Sequence, residues 1–85
     1  IMHMADNTFH LVVASVGKTL FDSRAQSVTV PGASGEMQLL PHHEAIVTTL
    51  KAGTISVKDQ QGAAHSFDVE SGVLECANNR VVVLL

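Results

Sequence analysis

The residues with most scope for chemistry are His42 and His43, adjacent in the chain and followed by Glu44. A zinc site needs three or four donors converging on one point. Neighbouring positions of an extended segment face opposite ways, so this pair does not share an ion. No spacing motif brings a further donor to Glu44, and a metal-dependent enzyme would require His10 to join His42 and His43 from a distant stretch. The lone thiol, Cys76, lies between Leu74 and the apolar run Val81–Leu85, with no histidine near it in sequence. That is the setting of a small buried hydrophobe with a raised pKa, not of a nucleophile with a base in reach. Glu36, Glu44, Asp59, Asp68, Glu70 and Glu75 fall in or beside different turns and strands, so no two read as an acid–base pair. Pro31-Gly32 and Ser34-Gly35 lack the Lys-Ser/Thr ending of a phosphate loop. The sequence therefore predicts no catalytic residue, no metal ligand and no cofactor.

What remains is shape and surface. Five Lys and Arg (Lys18, Arg24, Lys51, Lys58, Arg80) stand against eight Asp and Glu, for a formal charge of -3. The cations are scattered, there is no Trp, and the aromatics are only Phe9, Phe21 and Phe67. Nucleic acid needs converging cations, and single strands need aromatic platforms, so neither is an expected partner. A single cysteine excludes an intramolecular disulfide and fits a reducing compartment. No apolar run approaches the roughly 20 residues of a helical membrane span, and no signal-peptide pattern is visible. The opening Ile1-Met2-His3-Met4 reads as a cloning remnant, which sets the expected division at a remnant and natural N-terminus over 1–7 and one domain over 8–85.

The elements that must carry these residues are strands. No stretch shows an apolar stripe at helical spacing between caps, whereas short alternating runs recur between turn residues. Thr8–Ala14 sets Phe9, Leu11 and Val13 on one face; Thr19–Phe21 and Arg24–Val30 follow as separate strands. Pro31-Gly32-Ala33-Ser34-Gly35 reads as a loop because proline fixes one dihedral and the glycines permit positive φ. Met37–Leu40, Ala45–Leu50, Thr54–Lys58, Ala64–Val69, Val73–Cys76 and Arg80–Leu85 complete the set, separated by turns that include Asp59–Gly62 and Asn78-Asn79. The last run is apolar on both sides, as for a central strand or one with a covered outer face. The 46% apolar content is high for a chain of 85 residues, which agrees with a packed interior plus apolar surface reserved for a partner. The predicted fold is all-β, a flattened β-sandwich of about ten short, mostly antiparallel strands.

Eight segments in order carry a resemblance. They are Phe9–Val13, Gly17–Phe21, Val28–Gly32, Gly35–Met37, Leu39–His43, Lys51–Gly53, Gly72–Glu75 and Val81–Leu84. Together they resemble the epsilon subunit of the rotary F-type ATP synthase, over its N-terminal β-sandwich domain. Within the resemblance there are departures. His42 stands where the family has glycine before the histidine matched by His43. Glu44-Ala45 replaces Ala-Pro, Ala52 replaces a proline, and Ser71 replaces a glycine. The family continues into a helical hairpin that regulates hydrolysis or binds ATP in some members. That hairpin is expected to be missing here, so neither property is carried over.

The resemblance implies a non-catalytic central-stalk subunit of a proton-translocating ATP synthase, at the cytoplasmic face of a bacterial inner membrane and without direct membrane insertion. Its implied partners are the gamma subunit and the c-subunit ring. By position, Pro31, Gly32, Gly35, Glu36 and Met37 would face the c ring, and Ser15, His43 and Thr48 would face gamma. In isolation the domain would be a monomer. The alternative reading is a free-standing β-sandwich adaptor for another protein.

Overall fold

The computed structural model describes residues 7–85, so all but Asn7 of the expected remnant lies outside the described residues. Eight strands follow in order: β1 (Phe9–Ser15), β2 (Lys18–Gly32), β3 (Gly35–Leu39), β4 (Ile46–Leu50), β5 (Gly53–Asp59), β6 (Ala64–Val69), β7 (Gly72–Ala77) and β8 (Arg80–Leu84). All neighbours run antiparallel except β1 and β8. One layer is β4–β7–β8–β1 with the first half of β2; the other is β3, the second half of β2, β5 and β6. The predicted all-β sandwich is what forms, with eight strands in place of about ten.

The count falls because the two runs read as separate strands are one. β2 is 15 residues long and serves both layers, pairing with β1 up to Ala25 and with β3 and β5 from Ala25 onward. Two irregularities let it do so. Leu20 is skipped in the pairing with β1, and Gln26 is skipped between the Ala25–Asp59 and Ser27–Lys58 pairs. An extra residue in one strand bends it and increases its twist. It also reverses which side chains face inward: Ala25 is buried before the bulge, then Val28 and Val30 after it.

Between the layers lies a core of aliphatic side chains. Leu11, Val13, Val28, Val30, Leu39, Ile55, Leu74 and Val83 are fully enclosed, with Phe9 and Cys76 beside them. Each such Val or Leu contributes about 1.5–3 kcal/mol by leaving water. No charged or polar residue is buried among those described. The alternation of β1, with Phe9, Leu11 and Val13 in and His10 and Val12 out, therefore sets its register against β8 and β2.

The segment Pro31–Gly35 differs most from expectation. Pro31 and Gly32 are buried in β2, Gly35 opens β3, and only Ala33-Ser34 turn. Proline is tolerated because of where its backbone points. The Pro31 carbonyl accepts a hydrogen bond from Lys51 N–H at 2.9 Å. The N–H and C=O of one strand residue face the same edge, so the donor that proline lacks is not one that β3 would use. Gly32 is required for space: a Cβ there would stand 2.8 Å from the Gly35 carbonyl oxygen.

Candidate functional site

The β2–β3 tip is a tight hairpin closed by the Gly32–Gly35 pair. Ala33 N–H donates to Thr49 O at 2.9 Å, so the tip is pinned to the end of β4. Of the residues expected to face a c ring, Glu36 is exposed, Gly35 and Met37 are half-buried, and Met37 packs against the core. Pro31 and Gly32 are buried and act as its support. Ala33 and Ser34 supply the exposed tip itself.

Ser15, His43 and Thr48 are all half-buried, but the register keeps them apart. Thr48 lies opposite Leu74, and that row continues through Val83 to Val13, two positions before Ser15. Three strand spacings of about 4.8 Å separate β4 from β1. His43 lies in the β3–β4 connection, with its carbonyl facing Cys76 Sγ at 3.9 Å. Burial pushes the Cys76 thiol pKa up, in line with its reading as a core residue.

That connection is tied down by a turn on another strand pair. Asn78 and Asn79 join β7 to β8 with φ of 52° and 59°, the two left-handed residues of a type I′ hairpin. Asn79 Oδ1 accepts His42 N–H at 2.7 Å, and Asn79 Nδ2 donates to Thr8 O at 2.9 Å. His42 itself is held at φ 64°. A left-handed backbone costs a residue with a Cβ about 1–2 kcal/mol, and glycine returns about half of that gain through its freer unfolded chain. His42→Gly is therefore expected to raise stability by about 0.5 kcal/mol, read as a melting temperature higher by about 2–4 °C. A lower melting temperature would show that the imidazole does more than occupy the turn.

Two histidines pair with carboxylates. His10 Nε2 contacts Asp22 Oδ1 on β2, and His65 Nε2 lies 2.8 Å from Asp59 Oδ2 at the β5–β6 turn. His65 also meets the Phe21 ring edge-on at 5.2 Å. Asp59 Oδ1 accepts the N–H groups of Gln61 and Ala63, both at 2.9 Å. The His65 hydrogen bond, followed by the one from Ala63, holds the Asp59 carboxyl below its ordinary pKa. A depressed folded-state pKa gives stability above the unfolded value that is lost as pH falls through the folded value. Wild type should thus lose more stability than Asp59→Asn below about pH 4, measured as melting temperature against pH. Parallel curves would remove Asp59 from acid unfolding. Among the described residues, no three His, Cys, Asp or Glu side chains gather closely enough to hold a metal ion.

The outer face of the β4–β7–β8–β1 layer emerges only from the register. One row runs Val47, Glu75, Val82, Val12; the next runs Thr49, Val73, Leu84, Ala14. Val47, Val73 and Leu84 are 68%, 41% and 56% exposed. An open groove of about 420 Å³ beside them is lined by Glu75, Ala77, Asn78, Arg80 and Val82. The hints of this face in the sequence are the two-sided apolarity of β8 and the high apolar content of the chain.

Fold and surface define a small all-β sandwich domain whose distinguishing features are a pinned hairpin tip and an apolar sheet face, not a cleft. The chain belongs to the ATP synthase Delta/Epsilon chain family: the model of that family's beta-sandwich domain matches residues 8–85. An ATP synthase epsilon chain from Delftia acidovorans is 35% identical over 78 residues, covering 92% of this chain and 56% of that protein. One from Desulforamulus reducens is 39% identical over 77 residues, covering 91% and 58%. The chain thus spans a little over half the length of these curated relatives. A chain of the Euglena gracilis mitochondrial ATP synthase (OSCP/F1/c-ring) superposes with a TM-score of 0.87 at 18% identity, over 96% of this chain and 52% of that one. A chain of the Tetrahymena thermophila mitochondrial ATP synthase central stalk/c-ring gives 0.71 at 13%, over 88% and 60%. At such identities the likeness is one of fold.

Proposed function

We propose that residues 8–85 act as a non-catalytic element of a rotary ATP synthase stalk, joining the gamma subunit to the c-subunit ring at the cytoplasmic face of a bacterial inner membrane. The observation that carries this reading is the exposed apolar face built on Val47, Val73 and Leu84. Aliphatic side chains on a sheet face are the mark of a surface that a permanent partner covers, since such interfaces are large and more apolar than transient ones. In this reading gamma covers that face and reaches round the ends and edge of the layer to Ser15, His43 and Thr48, of which Thr48 lies in the inward row opposite Leu74. The pinned Ala33-Ser34 tip and Glu36 meet the ring, and Pro31, Gly32, Gly35 and Met37 hold them in place. A close-packed sandwich suits the task because it transmits load with little deformation.

The first test is co-purification of the chain with a gamma subunit expressed beside it; a chain that leaves gamma behind would instead fit the free-standing adaptor. The second is scrambling Ala33, Ser34 and Glu36 while keeping Gly32 and Gly35. That variant is expected to keep its melting temperature and to lose about tenfold in retention on a gamma–c-ring assembly. Unchanged retention would free the tip from any role in ring contact.

A further inference from the structure

The hairpin that carries Glu36 runs past the strands that flank it. Among the described strands β3 pairs only with β2, and the pairing of β5 with β2 ends at Thr29–Ser56. From Val30 to Gly32, β2 and β3 would thus form a bare two-stranded ribbon, which is marginal in water. The corner between β4 and β5 takes the place of the missing strand. Leu50 lies opposite Gly32, while Lys51 N–H donates to Pro31 O and Ala33 N–H to Thr49 O, both at 2.9 Å. Against the same proline sits Gly53. A Cβ there would stand 2.9 Å from Pro31 Cβ and 3.1 Å from Pro31 Cγ.

We propose that Gly53 is a positioning residue for the tip: its bare Cα seats the Pro31 ring, so that the β4–β5 corner fixes the direction in which Ala33, Ser34 and Glu36 project. The proposal rests on the reading that this tip meets the c ring, and adds the element, distant in sequence, that aims it.

Three observations separate Gly53 from a glycine kept for a turn. Its φ is not among the positive ones, so space and not backbone freedom requires the glycine. It is itself exposed, so core packing does not explain the missing side chain. The atoms that a methyl group would meet belong to a proline ring, which cannot swing aside as a flexible side chain does. Room for that methyl must therefore come from the backbone, of the corner or of β2 at Pro31. Either movement disturbs the two hydrogen bonds that hold the tip. Pro31 lies opposite Glu36, so the displacement passes to the strand that carries the carboxylate. A contact that depends on position is weakened when its support is loose by about 1 Å, even with every contacting residue present.

The test reads position and attachment separately. In wild type, hydrogen exchange followed by NMR is expected to show the Ala33 and Lys51 amides protected about tenfold or more over that of exposed Ser34. Protection of Ala33 no greater than that of Ser34 would overturn the proposal without any variant. Gly53→Ala should speed Ala33 exchange about tenfold and leave the core amides of Leu11 and Val83 as slow as in wild type. It should bind purified gamma within about twofold of wild type, yet lose about fivefold in retention on the gamma–c-ring assembly. A general loss of structure would speed the core amides and weaken gamma binding as well, and that pattern would overturn the proposal. Full retention by Gly53→Ala, beside loss in the variant scrambled at Ala33, Ser34 and Glu36, would also overturn it while leaving the tip's contact with the ring in place. Full retention by both would remove the tip from ring contact, and this proposal with it.

Discussion

Asn79→Ala is expected to lower folding stability by about 3 kcal/mol, an unusual loss for a turn residue. Three contributions add. The residue sits at φ 59°, which costs alanine about 1 kcal/mol or more relative to asparagine. The side chain also loses its bonds to His42 N–H and Thr8 O, each worth about 1 kcal/mol. Those bonds reach 37 and 71 residues along the chain, so the turn closes long loops as well as a hairpin. The pattern across substitutions is diagnostic. Asn79→Gly should be less harmful than alanine despite its smaller side chain, because it accepts the left-handed backbone. Asn79→Asp should keep the His42 bond and lose the Thr8 bond. In urea unfolding, the alanine variant should fall in midpoint by roughly 2–3 M. A shift under half of that would show that the three segments hold together without this residue.

Val47→Lys should reduce binding to a gamma subunit by about a hundredfold while leaving the domain folded. Val47 is the most exposed aliphatic of the outer face, so folding takes little from it. Its cross-strand neighbour is Glu75, and an opposite charge placed there adds up to about 1 kcal/mol to the sheet. Binding should respond in the other direction, because a partner must strip water from an ammonium group and loses the contact it had with the valine. The measurement is paired calorimetry and melting curves. Equal affinity in a variant that melts at or above wild type would take the face out of the interface.

Much of the fold could be read from residue order, and the failures have definite causes. Phe9, Leu11 and Val13 announced β1 because one face is core and the other is not. β2 hid its continuity for the opposite reason: the extra residue at Gln26 reverses the inward parity, and Asp22-Ser23 resembles a break. Pro31 suggested a loop because a strand proline is allowed only where its missing donor is not needed, a fact of neighbours rather than of sequence. His10 and His65 have carboxylate partners 12 and 6 residues away, pairings that depend on register and are not visible in residue order.

The surface was less legible than the core. Val47, Val73, Leu84 and Val82 are ordinary strand aliphatics when read singly, and alternation in β8 is apolar on both sides. Only the pairing of β4, β7, β8 and β1 makes one stripe from residues between 12 and 84. Glu36 is exposed beside a short, local hairpin tip, and its placement toward the ring comes from the resemblance. Ser15, His43 and Thr48, proposed together, stand on different parts of one layer.

The shared strand β2 has a mechanical consequence. A pull between the Val16-Gly17 bend and the Ala33-Ser34 tip runs along one covalent backbone, with flanking strands bonded to it in register. The load is then carried by the covalent bonds of a strand already extended, with no inter-strand bond in its path, whereas a hinge between two separate sheets would open bond by bond like a zip. Under an atomic-force tip, this axis should be the stiff direction of the molecule.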